Sequence, residues 1–169
     1  MPKLTIIING KPGSGKDALC DAVIRQGRAR KASSIEPIRA IARLGGWDGV
    51  KDAKSRKLLS DLKRLFTEYN NLPAKYLSEV YENFLYSEDD VLFVHIRESD
   101  QIAAFINGIS RKAVSLLVRR PGTEGAMGNR SDDETESYNY DEIFDNDGAL
   151  EDAEKAFCAL VAEMLKKYA

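Results

Sequence analysis

The stretch "IIINGKPGSGKDAL", residues 6–19, constrains this chain more than any other. A short, uninterrupted β-branched run that stops on glycine is what a central strand of a parallel sheet requires, because such a strand is buried on both faces. The glycines follow at once, and Ala18, Leu19, Ala22 and Val23 then recur at helical spacing until Gly27 supplies a stop. Strand, glycine turn and helix in immediate succession demand an α/β unit with the turn at the strand's carboxyl end. The spacing within the turn is G-x-x-x-x-G-K, the pattern of a phosphate-binding loop.

Gly10, Gly13 and Gly15 permit torsions that let successive amides around Ser14 turn inward as a concave nest for phosphate oxygens. The helix opening at Ala18 adds its dipole and free N–H groups from below. Lys16 is placed to reach the β and γ phosphates as a point charge, and Lys11 is expected over the loop's outer edge. The predicted nucleotide-binding set is therefore Gly10, Lys11, Gly13, Ser14, Gly15, Lys16, Asp17 and Ala18, and the ligand is a nucleoside triphosphate. Asp17 stands where Ser or Thr usually helps hold Mg²⁺. A carboxylate beside a triphosphate repels it unless a cation lies between, so Asp17 is expected to hold Mg²⁺; the alternative is a simple N-terminal helix acid with the metal held elsewhere.

Beyond the loop, strands and helices alternate. A second strand is expected over Arg30 to Ser33, then a helix capped by Ser34 with Pro37 in its first turn. "GGWDG" breaks that helix. The next runs from Lys54 to Tyr69 with Leu58, Leu62, Leu65, Phe66 and Tyr69 as its core stripe, and Pro73 opens another carrying Tyr76, Leu77, Val80, Tyr81, Phe84 and Leu85. "VLFVHI" and "AVSLLV" read as buried strands around a short helix from Ser99 to Gly108. Residues 121–140 are nearly devoid of aliphatic side chains and read as a mobile flap with little share in the core. A last short strand in "DEIFDNDG" precedes an amphipathic helix bearing Leu150, Ala153, Phe157, Leu160, Val161 and Leu165. The predicted fold is one α/β domain: a doubly wound parallel sheet with helices on both faces.

With 169 residues, a net charge of −2 and two cysteines, the chain lacks the basic footprint of a nucleic-acid polymer binder, and it lacks a disulfide framework. Its apolar runs fall short of a membrane span, and its first residues lack the apolar length of a signal peptide. These features lead us to expect a cytoplasmic protein that binds neither membrane nor nucleic-acid polymer. Nothing in the sequence fixes an oligomeric state.

The G-K-x-x-S-G-K-D loop resembles that of the phosphomevalonate kinases and phage-type deoxynucleoside monophosphate kinases, a branch of the P-loop nucleotide kinase superfamily. "SSIEPIRA", "VLFVHIRESDQIAAF" and "YDEIFDNDGALEDAEKAF" resemble further segments of those kinases. The resemblance implies transfer of the ATP γ-phosphoryl group, with Mg²⁺, to a small phosphorylated acceptor, foremost a (deoxy)nucleoside monophosphate. It implies that residues 34–86 form a helical acceptor-binding region and residues 121–140 a lid. Lys16, Arg97, Arg120 and Arg130 are then the candidate catalytic cations, with Arg119 a further one beside the flap. Ser34, Arg39, Arg64 and Arg97 are candidates for the acceptor, helped by the charge of Arg56, Lys57 and Lys63, and Asn146 is a candidate for touching the adenine. One departure stands out: His95 occupies the end of the third strand, where those kinases usually carry an Asp. A nucleotide-binding switch with little turnover is the competing reading, whereas the absence of Asn-Lys-x-Asp disfavours a GTPase.

Overall fold

The computed structural model describes residues 1–122 and 134–169. In chain order it has β1 (Leu4–Asn9), α1 (Lys16–Arg25), β2 (Ala29–Ser33), α2 (Glu36–Leu44), α3 (Ala53–Asn70), α4 (Leu72–Leu85), β3 (Val91–His95), α5 (Ser99–Gly108) and β4 (Ala113–Arg119). A single 3₁₀ turn (Thr135–Ser137), β5 (Glu142–Asp145) and α6 (Leu150–Tyr168) complete it. The strands form one five-stranded sheet in the order β2-β3-β1-β4-β5. Every pair is parallel, with Ile8 opposite His95, Ser33 opposite His95 and Asn9 opposite Leu117. The doubly wound parallel sheet expected from the sequence is present.

Alternation along β1 divides the core in two. Leu4, Ile6 and Ile8 pack with Leu19 and Val23 of α1 and with Ala153, Phe157, Val161 and Met164 of α6. Ile7 points the other way, into a cluster with Leu77, Tyr81 and Phe84 of α4 and Ile102 and Phe105 of α5. The chain therefore leaves β1 over one face and leaves β3 over the other. Their carboxyl ends diverge, and in an open parallel sheet the gap between two such ends is where a ligand fits. Lys3 fastens the opposite end of this arrangement, donating to the carbonyls of Phe84 (3.0 Å), Ser87 (2.6 Å) and Asp89 (2.6 Å) where α4 turns into β3.

Several expectations are corrected. Helix α3 forms, with Asp52 accepting from Ser55 N (2.7 Å) as its N-cap, but none of its residues is buried. Leu58, Leu65 and Tyr69 are exposed because α3 packs on α2 and α4 and not on the sheet. Periodicity reports that a helix has an apolar face, not how deep that face lies. Ser34 does not cap α2; that helix starts after Ile35, and Glu36 reaches back to accept from Ser33 N (3.0 Å). Leu150 is exposed and Met164 takes a core place in α6. Within the expected flap, Thr135 is buried, and Tyr138 and Tyr140 meet edge-to-face at 5.0 Å against the second cluster. Two tyrosines supply the apolar area that this stretch lacks in aliphatic residues.

Phe157 is fully buried, stacked 6.2 Å from Phe93 and edge-on at 5.2 Å to Phe144. Phe157→Ala should cost about 3–5 kcal/mol in urea denaturation. Leu58→Ala, on the exposed side of α3, should cost less than about 1 kcal/mol.

Candidate functional site

The loop between β1 and α1 is held by side chains from distant parts of the chain. Gly10 is needed for close approach, since a Cβ there would lie 2.6 Å from Ser14 Oγ and 2.7 Å from Val118 O. Gly15, the residue before α1, has φ +85°, a left-handed conformation, and a Cβ on it would meet Asn146 Nδ2 at 2.6 Å. That amide donates to Ser14 O (2.9 Å), while Asn146 N donates to Arg119 O (2.7 Å). No side chain caps the N-terminus of α1, so its leading N–H groups remain for an anion. Ser14 Oγ is buried without a hydrogen-bond partner among the described residues. Lys16 begins α1 half-buried, whereas Lys11 is buried and not spread over the loop's outer edge. Gly13 turns the loop with φ +83°, and half-buried Ala18 lies in the first turn of α1.

Asn9, 1% exposed at the end of the buried strand β1, joins three segments. Its Oδ1 accepts from Gly10 N (2.9 Å), and its Nδ2 donates to Arg97 O (3.1 Å) and to the Tyr140 hydroxyl (2.9 Å). Tyr140 passes its own proton to Thr135 O (2.6 Å), and burial pushes that phenol up to about 12. The first peptide of the loop, the exit of β3 and the segment before β5 are thus tied through one amide. Sequence reasoning passed over both residues. The available signal was an amide side chain closing a strand buried along its whole length, since a buried amide needs partners for each of its groups.

Around the divergent ends of β1 and β3 lie Asp17, His95 and Arg97. Asp17 is 70% exposed on the first turn of α1, with Oδ1 3.7 Å from His95 Nδ1. His95 is 11% exposed, and burial outweighs the attraction of Asp17 to lower its pKa to about 4, so the ring is neutral near pH 7. Arg97 is exposed at the exit of β3. Its neighbour Glu98 is engaged by Lys63 of α3 at 2.8 and 2.9 Å. Arg120 reaches the loop from the end of β4, its Nη1 3.9 Å from the position of a Cβ on Gly15. Arg119 pairs through two bonds with Asp145 (2.8 and 3.0 Å).

On the α2 side, Ser34 is buried and its N–H donates to His95 O (3.2 Å). Arg39 is half-buried, and its Nε is shut from solvent without a hydrogen-bond partner among the described residues. Arg64 points outward, 3.6 Å from Glu68 on its own helix. Arg130 lies outside the described residues. Among the described residues no group of three or more His, Cys, Asp or Glu could cage a metal ion. Cys20 offers no nucleophile, since burial raises its thiol far above the usual range.

No protein-family model matches the chain, and no curated protein matches it in sequence. Solved structures do match. The Thermus thermophilus protein TT1252 is 20% identical over 97% of this chain and 99% of its own, with a TM-score of 0.56. A sugar kinase from Janibacter is 13% identical over 99% of both chains, with a TM-score of 0.52. The Mycobacterium tuberculosis APS kinase CysC, solved with AMPPNP and APS, is 14% identical over 95% of this chain and 98% of its own, with a TM-score of 0.50. The chain shares the fold of P-loop kinases along nearly its whole length. No helix among the described residues is long and apolar enough to cross a membrane.

Removing the side chain of Asn9 would strand Gly10 N and the Tyr140 hydroxyl and free Arg97 O. Asn9→Ala should therefore cost about 2–4 kcal/mol, and Tyr140→Phe about 1 kcal/mol, both read as shifts in denaturation midpoint at constant slope.

Proposed function

We propose that this protein is an ATP-dependent kinase that transfers the γ-phosphoryl group to a small phosphorylated acceptor, a (deoxy)nucleoside monophosphate before others. The observation that carries the reading is the glycine loop itself, braced by Asn146 and Asn9 at the uncapped N-terminus of α1. A loop held open in this way presents backbone donors to phosphate without reorganising. Kinases of the same fold, among them one solved with an ATP analogue and its acceptor, support the reading.

Phosphoryl transfer asks little of a protein beyond positioning and charge neutralisation. The loop amides hold the polyphosphate, and Lys16 reaches its outer phosphates. Arg120, beside Gly15, is suited to the charge that spreads over the transferring group. Asp17 at the head of α1 would hold Mg²⁺, which would supply neutralisation of the polyphosphate charge. The acceptor enters between β3 and α2, where Arg97 and the unpaired Arg39 Nε meet its phosphate and Ser34 lines the base of the site. Water must be excluded during transfer, and residues 121–140 are suited to that task. Arg130 belongs to this stretch and is a second candidate for the transferring group. The reaction suits a cytoplasmic enzyme supplied with ATP.

ATP with Mg²⁺ should raise the melting temperature, and Lys16→Ala should weaken ATP binding tenfold or more, which is about 1.4 kcal/mol or greater. A coupled ADP-release screen over nucleoside monophosphates and phosphomevalonate should find one acceptor that stimulates turnover. For that acceptor Arg39→Ala should raise KM about tenfold or more while ATP affinity stays unchanged. Tight ATP binding with no acceptor-dependent release would instead favour a nucleotide-binding switch. Absence of ATP binding would overturn both readings.

A further inference from the structure

We propose that His95 is the positioning residue for Asp17, holding its carboxylate toward the cation of a bound nucleotide. The inference rests on the proposed ATP·Mg²⁺ site and deepens it. Asp17 is 70% exposed on the first turn of α1 and has no partner within hydrogen-bond distance among the described residues. The imidazole beneath it is fixed, because His95 ends β3 between β1 and β2 and only 11% of its side chain meets solvent. Its Nδ1 edge lies 3.7 Å from Asp17 Oδ1, and a small rotation of the exposed carboxylate brings the two into contact.

The chemistry of the pair sets the direction of the hydrogen bond. A lone pair on Nδ1 would repel the carboxylate, so the favoured tautomer carries its proton there and donates to Asp17. Nε2 is then an acceptor, and it is buried without a partner among the described residues. The one donor of the ring is left facing Asp17. Three cations also bear on this ring: Lys16 from α1, Lys31 from β2 and Arg97 from the exit of β3. Lys31 is held by Asp21 (2.6 Å) and also feels the charge of Asp17.

A Lys or Arg at position 95 would cancel the negative charge that Asp17 must offer, and an Asp or Glu would push that carboxylate away. An imidazole N–H gives direction through one fixed donor. Groups that orient a metal ligand in this way typically contribute about 10- to 100-fold to metal affinity.

The test is the affinity for ATP measured by calorimetry with and without Mg²⁺, using the full chain. The ratio of the two dissociation constants isolates the metal's contribution from that of the loop. His95→Leu should cut this ratio about tenfold or more while Mg²⁺-free ATP binding and melting temperature stay close to those of the parent protein. His95→Asn, whose amide replaces the Nδ1 donor, should recover most of it. In an Asp17→Asn background, His95→Leu should cause no further loss, because two residues acting through one contact are not additive. The proposal is overturned if His95→Leu leaves the ratio intact, or if it weakens ATP binding equally with and without Mg²⁺. If the parent protein binds no ATP, the nucleotide site itself fails; if it binds ATP·Mg²⁺ and the variants behave additively, only the role of His95 fails.

Discussion

A backbone that must expose a row of N–H groups cannot be held by the bonds that normally satisfy them, and this conflict shapes the site. The loop after β1 has to keep its amides turned toward an anion, so its shape must come from outside. Two asparagines supply it. Asn146 reaches from the turn after β5 to the carbonyl of Ser14, and Asn9 holds Gly10 N from the strand below. Both are buried, and each loses its amide's hydration to do so. Within the turn Ser14 N donates to Lys11 O (3.0 Å). Such a loop is pre-formed, so under the kinase reading a phosphate has little ordering left to impose.

The sheet order determines what else can reach that loop. With β1 flanked by β3 and β4, the exits of both neighbours come within reach of the glycine turn: His95 and Arg97 from one side, Arg120 from the other. The arginines are distant in sequence, yet topology brings both to one rim. Residues after the 3₁₀ turn join the same rim through Tyr140, whose hydroxyl rests on Asn9. One buried amide therefore connects the loop, the exit of β3 and the approach to β5, three segments that secondary structure alone leaves independent.

How much of this was legible in the sequence depends on the range of the forces involved. The strand, glycine turn and helix at the start were readable because they are local: β-branched run, Gly10 and Gly15, apolar positions three and four apart. The other strands were readable for the same reason, with Ala29 as a one-residue extension of β2. What the sequence hid was depth and partnership. The stripe of α3 predicted burial, yet Leu58 and Leu65 face solvent because the helix rests on two other helices, a matter of tertiary stacking. Among the cations of α3, nothing local distinguishes Lys63, which reaches Glu98 across the fold, from Arg64, which meets only Glu68 beside it. Asn9 and Tyr140 are 131 residues apart, and no periodicity links them.

The fate of Lys63 bears on where selectivity for an acceptor can lie. Its side chain is 14% exposed and its ammonium is bonded to both oxygens of Glu98, so withdrawing it to serve a ligand would leave a half-buried carboxylate unpaired. Two other cations of α3 lean on acids of their own helix, Lys57 on Asp61 and Arg64 on Glu68. Arg39 differs, because a buried Nε without a partner has already lost its hydration and gains most from an anion that supplies the missing acceptor. Under the kinase reading, recognition of an acceptor phosphate therefore falls to α2 and the exit of β3. Helix α3 acts at one remove: through Lys63 and Glu98 it is fastened to the residue beside Arg97, so its stance on α2 and α4 sets where that guanidinium can stand.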